Sequence, residues 1–398
     1  MSLLEQLRRG KMVPVNHPYT TTRKRARTIM NLIIEHKSEF PSKLRPAITI
    51  AASKCRPGIF VAEIYIAATY FFFGRYRELS DLQQDLEIPN SASSQEEWYG
   101  LDSEVDTNNQ AELIIRLFPW KLKEELLGMP SSRGQIPIFA VASNPKAVSF
   151  VPLFASLGAK LGVFSSKQDP TGLNWSGENG SALKQLFIHT LTQIESGTEP
   201  TTDLDEKSLA MLMRLREMGF CSKANENHLM WWLFTAAQHR DAEFIQSRLR
   251  LLVRWNPSIL KCSSSQRTNL LRNFLYHCKE RQTHHESYAL EVFRGIVELG
   301  MLEYPQELGF LFHKTCSASG IILIPDNTSN CDTNFGLACH LFGTDTVTTI
   351  VNDALSSAIG LNTTNNLRTL LVAASANPKI STEGVFTLLR RDPMAMLS

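Results

Sequence analysis

The 398 residues contain no CxxC pair, and no apolar run as long as the ~20 residues a spanning helix needs. Each absence excludes something. Seven scattered cysteines, an odd number, rule against a disulfide framework and favour free thiols in a reducing compartment. The most apolar stretch, Ile59 to Gly74, is too short to cross a bilayer and carries Glu63, so it predicts a buried helix. No apolar stretch follows the first basic residues, so no secretory signal is expected, and the Asn-x-Ser/Thr matches at Asn174, Asn179, Asn327 and Asn362 carry no glycosylation expectation. A net charge of +2 gives no global argument for nucleic acid. With 43% hydrophobic and 20% charged residues, the chain has the composition of a soluble globular protein, far from that of a disordered one.

Charge is nevertheless unevenly placed. Residues 1–45 hold ten Lys or Arg against three Glu, whereas residues 78–112 hold ten Asp or Glu and no Lys or Arg. Such segments can attract one another once folded, although an exposed pair contributes only about 0–1 kcal/mol. The basic cluster Arg23 to Arg27 is read first as a solvated helix face and second as a phosphate or nuclear-import signal, with mitochondrial targeting ranked behind both. The expected address is cytoplasmic.

What is present is repetition. Residues 139–160, "FAVASNPKAVSFVPLFASLGAK", return in weakened form at 370–393, "LLVAASANPKISTEGVFTLLRRDP". Phe150, Leu153, Phe154 and Leu157 lie at i, i+3, i+4 and i+7, the stripe of a helix packed on one face. Pro137 is tolerated in a first helical turn, and Pro145 disfavours helix at Asn144. Each copy thus predicts helix, tight turn, helix, with Gly158 or Asp392-Pro393 marking the end. Further copies run from 228 to 257, 182 to 220 (ending "REMGF"), 269 to 301 (ending "VELGM") and 335 to 358. Six pairs from Pro137 onward give about 44 residues each, above the ~33 of ankyrin repeats and inside the ~40–47 of HEAT-type repeats.

The words themselves resemble the ankyrin pattern, with Pro137, Ala140, Ala142, Leu153, Gly158 and Ala159 at the matching positions. Long inserts at 163–181 and 316–334 replace the ankyrin β-turn. Over nearly the whole chain, "EFPSKLRPAI", "GIFVAEIYIAATYFFFG", "FPWKLKEELLGM", "GQIPIFAVASNPKAVSFVPLFASLG", "ELGMLEYPQELGFLFHK" and "GVFTLLRRDPMAM" resemble a large family of degenerate ankyrin-like proteins of photosynthetic microalgae. That resemblance carries no assigned activity; it implies a helical-repeat fold and, by analogy with ankyrin proteins, protein binding.

The expected architecture is all-α. It comprises a basic N-terminus (1–20), a helical capping domain (21–130) with an exposed acidic loop (89–109), and stacked helix-turn-helix repeats forming a solenoid (131–398). In the cap, helices are predicted over 22–37, 44–53, 58–73, 75–87 and 110–127, the last broken by Pro119.

The expected function is a non-catalytic scaffold for a protein partner. Trp231, Trp255, Arg254, Arg390 and Arg391 are the candidate contact residues, since Trp and Arg dominate interface hot spots. Competing readings place the tryptophans in the core and the arginines against helix dipoles. No catalytic, cofactor or metal residue is assigned, and neither nucleic acid nor membrane is expected as a partner. Ser143-x-x-Lys146 and Ser181-x-x-Lys184 match a hydrolase word but read as helix boundaries, and 172–181 lacks the Lys of a phosphate loop. The rival function is an enzyme or metal protein using His277, Cys278, His284, His285, His313, Cys316, Cys331, Cys339 and His340. Adjacent ligand pairs on a helix point apart, however, and Cys278 and Cys339 read as small core fillers.

Overall fold

A computed structural model of the chain describes residues 1–11, 14–15, 22–73, 100–123, 136–164, 171–174, 181–188, 202–221, 229–230, 232–233, 242–261, 269–281, 286–313, 333–358 and 364–391. Among the described residues every regular element is helical, and the strand-like geometry amounts to one antiparallel bridge between His313 and Ile380. Two compact units result, Met1–Cys221 and Ser222–Ser398. The expected cap boundary at 130/131 lies outside the described residues, as does the helix expected over 75–87.

The first unit holds helices α1 (Leu3–Arg8), α2 (Arg23–Glu35), α3 (Arg45–Lys54), α4 (Pro57–Phe73), α5 (Asn108–Leu117), α6 (Pro137–Ala142), α7 (Val151–Leu161), α8 (Ala182–Ile188) and α9 (Thr202–Glu217). The apolar stretch becomes α4, whose Phe60, Val61, Ile64, Ala68, Phe71 and Phe72 are buried. Among the described residues no helix is long and apolar enough to cross a membrane. α4 packs on α2, α3 and α6; α6 in turn packs on α8, while α7 packs against α5 and α9. The helix contacts of this unit thus run along two rows, α4–α6–α8 and α5–α7–α9.

Local chemistry sets the boundaries. Thr107 and Gln110 form a capping box that satisfies free N–H groups at the start of α5, and the helix ends before Pro119 as expected. Pro137 occupies the first turn of α6, where its missing N–H costs nothing. Phe150, just before α7, and Phe154 and Leu157 within it are buried as the stripe requires, but Leu153 is only half-buried. Nor does the helix end at Gly158: it runs to Leu161 and stops at Gly162, whose φ of +62° is the left-handed cap. Gly158 is small for a different reason. A Cβ there would lie 2.8 Å from Cε2 of Phe164.

The two charged segments meet at Glu112, which accepts from Arg8 at 2.5 and 3.0 Å and from Arg116 at 2.5 Å, tying α1 to α5. Burial raises this carboxyl, but the two guanidinium groups outweigh it and hold the group below its usual range. The acidic loop is not exposed throughout. Leu101, Asp102 and Asp106 are buried, because the Asp102 N–H donates to Asp106 Oδ2 and the Glu104 N–H to Asp102 Oδ1, closing a turn. Residues 89–99 lie outside the described residues.

The second unit holds α10 (Ala242–Trp255), α11 (Leu270–Arg281), α12 (Glu286–Glu303), α13 (Asn334–Phe342), α14 (Thr344–Ala358), α15 (Thr364–Ala376) and α16 (Thr382–Arg391). α10, α12 and α14 lie side by side, α11 packs on α13, and α11–α12, α13–α14 and α15–α16 close as pairs. A short turn at Pro305–Phe310 packs on α12 and α15. The "VELGM" glycine, Gly300, also lies inside a helix rather than at its end, and a Cβ on it would lie only 3.0 Å from the Gly309 backbone. In α16, Leu388 is buried whereas Leu389 is half-buried.

Candidate interaction surface

In the second unit α10, α12 and α14 lie side by side and border one hollow. α10 buries Ile245, Leu249, Leu252 and Val253 and turns Arg250 and Arg254 to solvent, one helical turn apart. Its buried arginine, Arg248, lies 4.2 Å above the Phe244 ring. Along α12, Glu291, Arg294 and Glu298 are half-buried and Leu302 is exposed, while Gly295 between them is buried. Gly295 has no side chain to fill the space beside α10, and a trough opens there. Its volume is about 260 Å³, and its walls include Leu249, Arg250, Gly295, Glu298, Leu299 and Leu302. Leu302 is 63% exposed, an apolar side chain left in water beside a hollow. Ser357 on α14 completes the far wall.

The candidate contact residues separate. Trp231 lies outside the described residues, and its neighbours Leu229, Met230 and Leu233 are buried, as a core helix demands. Trp255 is half-buried. Arg254 and Arg390 are exposed in the last turns of α10 and α16, where a cation complements the helix dipole. Arg391 joins two helices instead. Its guanidinium donates to the Asn352 carbonyl at 2.8 Å and to the Ser356 hydroxyl, fastening α16 to α14. Thus Arg254 and Trp255 are on the trough helix α10, with Arg254 one turn from Arg250. Sequence reading missed Leu302. The available signal was an apolar residue interrupting an otherwise polar stripe.

Of the residues that match the hydrolase word, Ser143, Lys146 and Ser181 make structural contacts. Ser143 Oγ donates to the Phe139 carbonyl, and Lys146 Nζ lies 3.5 Å from Asp102 Oδ2. Ser181 Oγ accepts from the Lys184 N–H, a helix cap. Among the described residues no group of three or more His, Cys, Asp or Glu is placed to hold a metal ion. Cys262, His284, His285, Cys316 and Cys331 lie outside the described residues. Burial pushes the Cys278 thiol up to about 12, which suits a core filler and not a nucleophile. His313 sits 3.4 Å from Glu307 and edge-on to Phe310; burial lowers its pKa, with Glu307 opposing. The turn before it carries left-handed φ at Leu308 (+48°), Gly309 (+58°) and Phe310 (+65°).

No family model, curated protein or solved structure matches the chain.

Proposed function

We propose that the protein is a non-catalytic scaffold: a stack of degenerate ankyrin-like helix pairs that binds a protein partner. The observation supporting this is the alternating packing, first helix on first helix (α4, α6, α8; α11, α13) and second on second (α5, α7, α9; α10, α12, α14). Each pair has an apolar face that its own hairpin leaves unburied, so stacking neighbours covers it and the pair number sets the length. The resemblance to the microalgal ankyrin-like family leads to the same reading. Outward faces stay free to vary, because the core does not depend on them. The high Cys278 pKa weighs against it as a reactive thiol.

The test uses the full chain recovered by mild capture from its own cells and weighed intact by native mass spectrometry. A stoichiometric protein partner, without metal or metabolite, is the expected result. A stoichiometric metal ion or metabolite would overturn the scaffold reading.

A further inference from the structure

We propose that the trough between α10 and α12 seats one large apolar side chain of a partner segment that carries a carboxylate about one helical turn away. This rests on the scaffold reading and adds to it a place and a ligand chemistry.

Size argues first. At about 260 Å³ the hollow is smaller than the ~300–1,000 Å³ of small-molecule sites, and suits a side chain better than a metabolite. Its floor is apolar, with Leu249 buried and Leu299 half-buried, and Leu302 stands 63% exposed at its margin. An incoming Leu, Phe or Trp would cover Leu302 while leaving water, which is how a buried anchor supplies binding energy.

Charge argues second. Arg250 and Arg254 are exposed on successive turns of α10, and among the described residues neither is in an ion pair. Arg250 makes one weak tie, 3.3 Å to Gln246 Oε1. A carboxylate on the segment can take the guanidinium fork in bidentate fashion. Glu298 lines the opposite side, and among the described residues it too has no ion-pair partner. An acidic group placed there would be repelled, so the trough reads direction as well as composition.

The test presents the full chain to a library of random dodecapeptides, then measures the selected peptides one by one by fluorescence anisotropy. Selected peptides should share a large apolar residue with Asp or Glu three or four positions away. Leu302→Asp and Arg250→Glu should each weaken binding about tenfold or more. Replacing the peptide's acid by Lys should restore binding to Arg250→Glu and abolish it for the unaltered chain. Both side chains are exposed, so these variants keep the fold, which circular dichroism verifies. Gly295→Leu gives an independent block, since a Cβ there meets Gln246 and Leu249 at an ordinary 3.5 Å. Peptides that bind but ignore Leu302→Asp would sink the trough and leave the scaffold reading standing. Selected peptides lacking the acid, or failure of the charge swap, would sink the proposed ligand chemistry. A library yielding no binder, beside a partner found by mass spectrometry, would also refute the trough and spare the scaffold.

Discussion

The two units close their cores around glycine in different ways. In the first, the Phe164 ring is gripped by Gly158 and Gly172, where added Cβ atoms would lie 2.8 and 2.7 Å from Cε2. In the second, backbone meets backbone: a Cβ on Gly309 would lie 2.9 Å from the Met301 nitrogen, and one on Gly300 would lie 3.0 Å from Gly309 itself. A ring can tilt when crowded, but a helix backbone can move only with its whole helix. Gly300 and Gly309 should therefore tolerate substitution less well than Gly158 and Gly172, and two non-glycine residues, Leu308 and Phe310, already stand at left-handed φ beside that contact.

The largest expected effect tests whether rings rather than glycines carry the first unit. Phe154 is fully buried and meets Phe72 edge to face with centroids 5.2 Å apart, so Phe154→Ala should cost about 3–5 kcal/mol in denaturant unfolding. A loss below about 1 kcal/mol would mean that its surroundings collapse freely. Next comes Gly309→Val, expected at about 2–5 kcal/mol from a left-handed β-branched residue added to overpacking. Amide hydrogen exchange should place that loss in α12 and α15. Gly172→Ala should cost about 1–3 kcal/mol, and Phe164→Leu in the same chain should recover part of it because the obstacle is a side chain. Additive losses would erase the distinction between ring and backbone. The smallest effect is a pH dependence in the second unit. His313 is held below its ordinary pKa by burial, so its folded form prefers the neutral ring; that stability is present above the unfolded value of about 6.5 and is lost as pH falls below it. His313→Asn should flatten the fall in melting temperature between neutral and mildly acid pH, and an unchanged slope would contradict this account.

Legibility followed the range of the interaction. Pro119, Pro137 and the turn at Asn144-Pro145 were readable because proline acts on its own backbone and on the residue before it. Three glycines with similar sequence neighbours divided instead. Gly219, with φ of +79°, does end α9 as its word predicts, whereas Gly158 and Gly300 lie within helices and are small because another group approaches them. The spacing that picked Leu153 could not tell the centre of a buried stripe from its edge: Leu153 is half-buried, as is Leu389 in α16, while Phe154 and Leu388 hold the centre. Hence Leu153→Ala and Leu389→Ala should fall below the ~2–5 kcal/mol expected of a fully buried leucine, with Leu388→Ala inside that range. Of the candidate contact residues, Arg391 was identifiable as a helix-end cation, but its hold on Asn352 and Ser356 depends on a helix some 40 positions away.

Sequence alone determined the all-helical class and the helix ends set by proline, since these depend on periodicity and on proline acting within a few residues of the chain. Tertiary structure decided which glycines are caps and which are contacts, which stripe residues reach the core, and that Gly295, Leu302 and Arg250 border one hollow. Those outcomes depend on distances between segments far apart in sequence, and no local pattern encodes them.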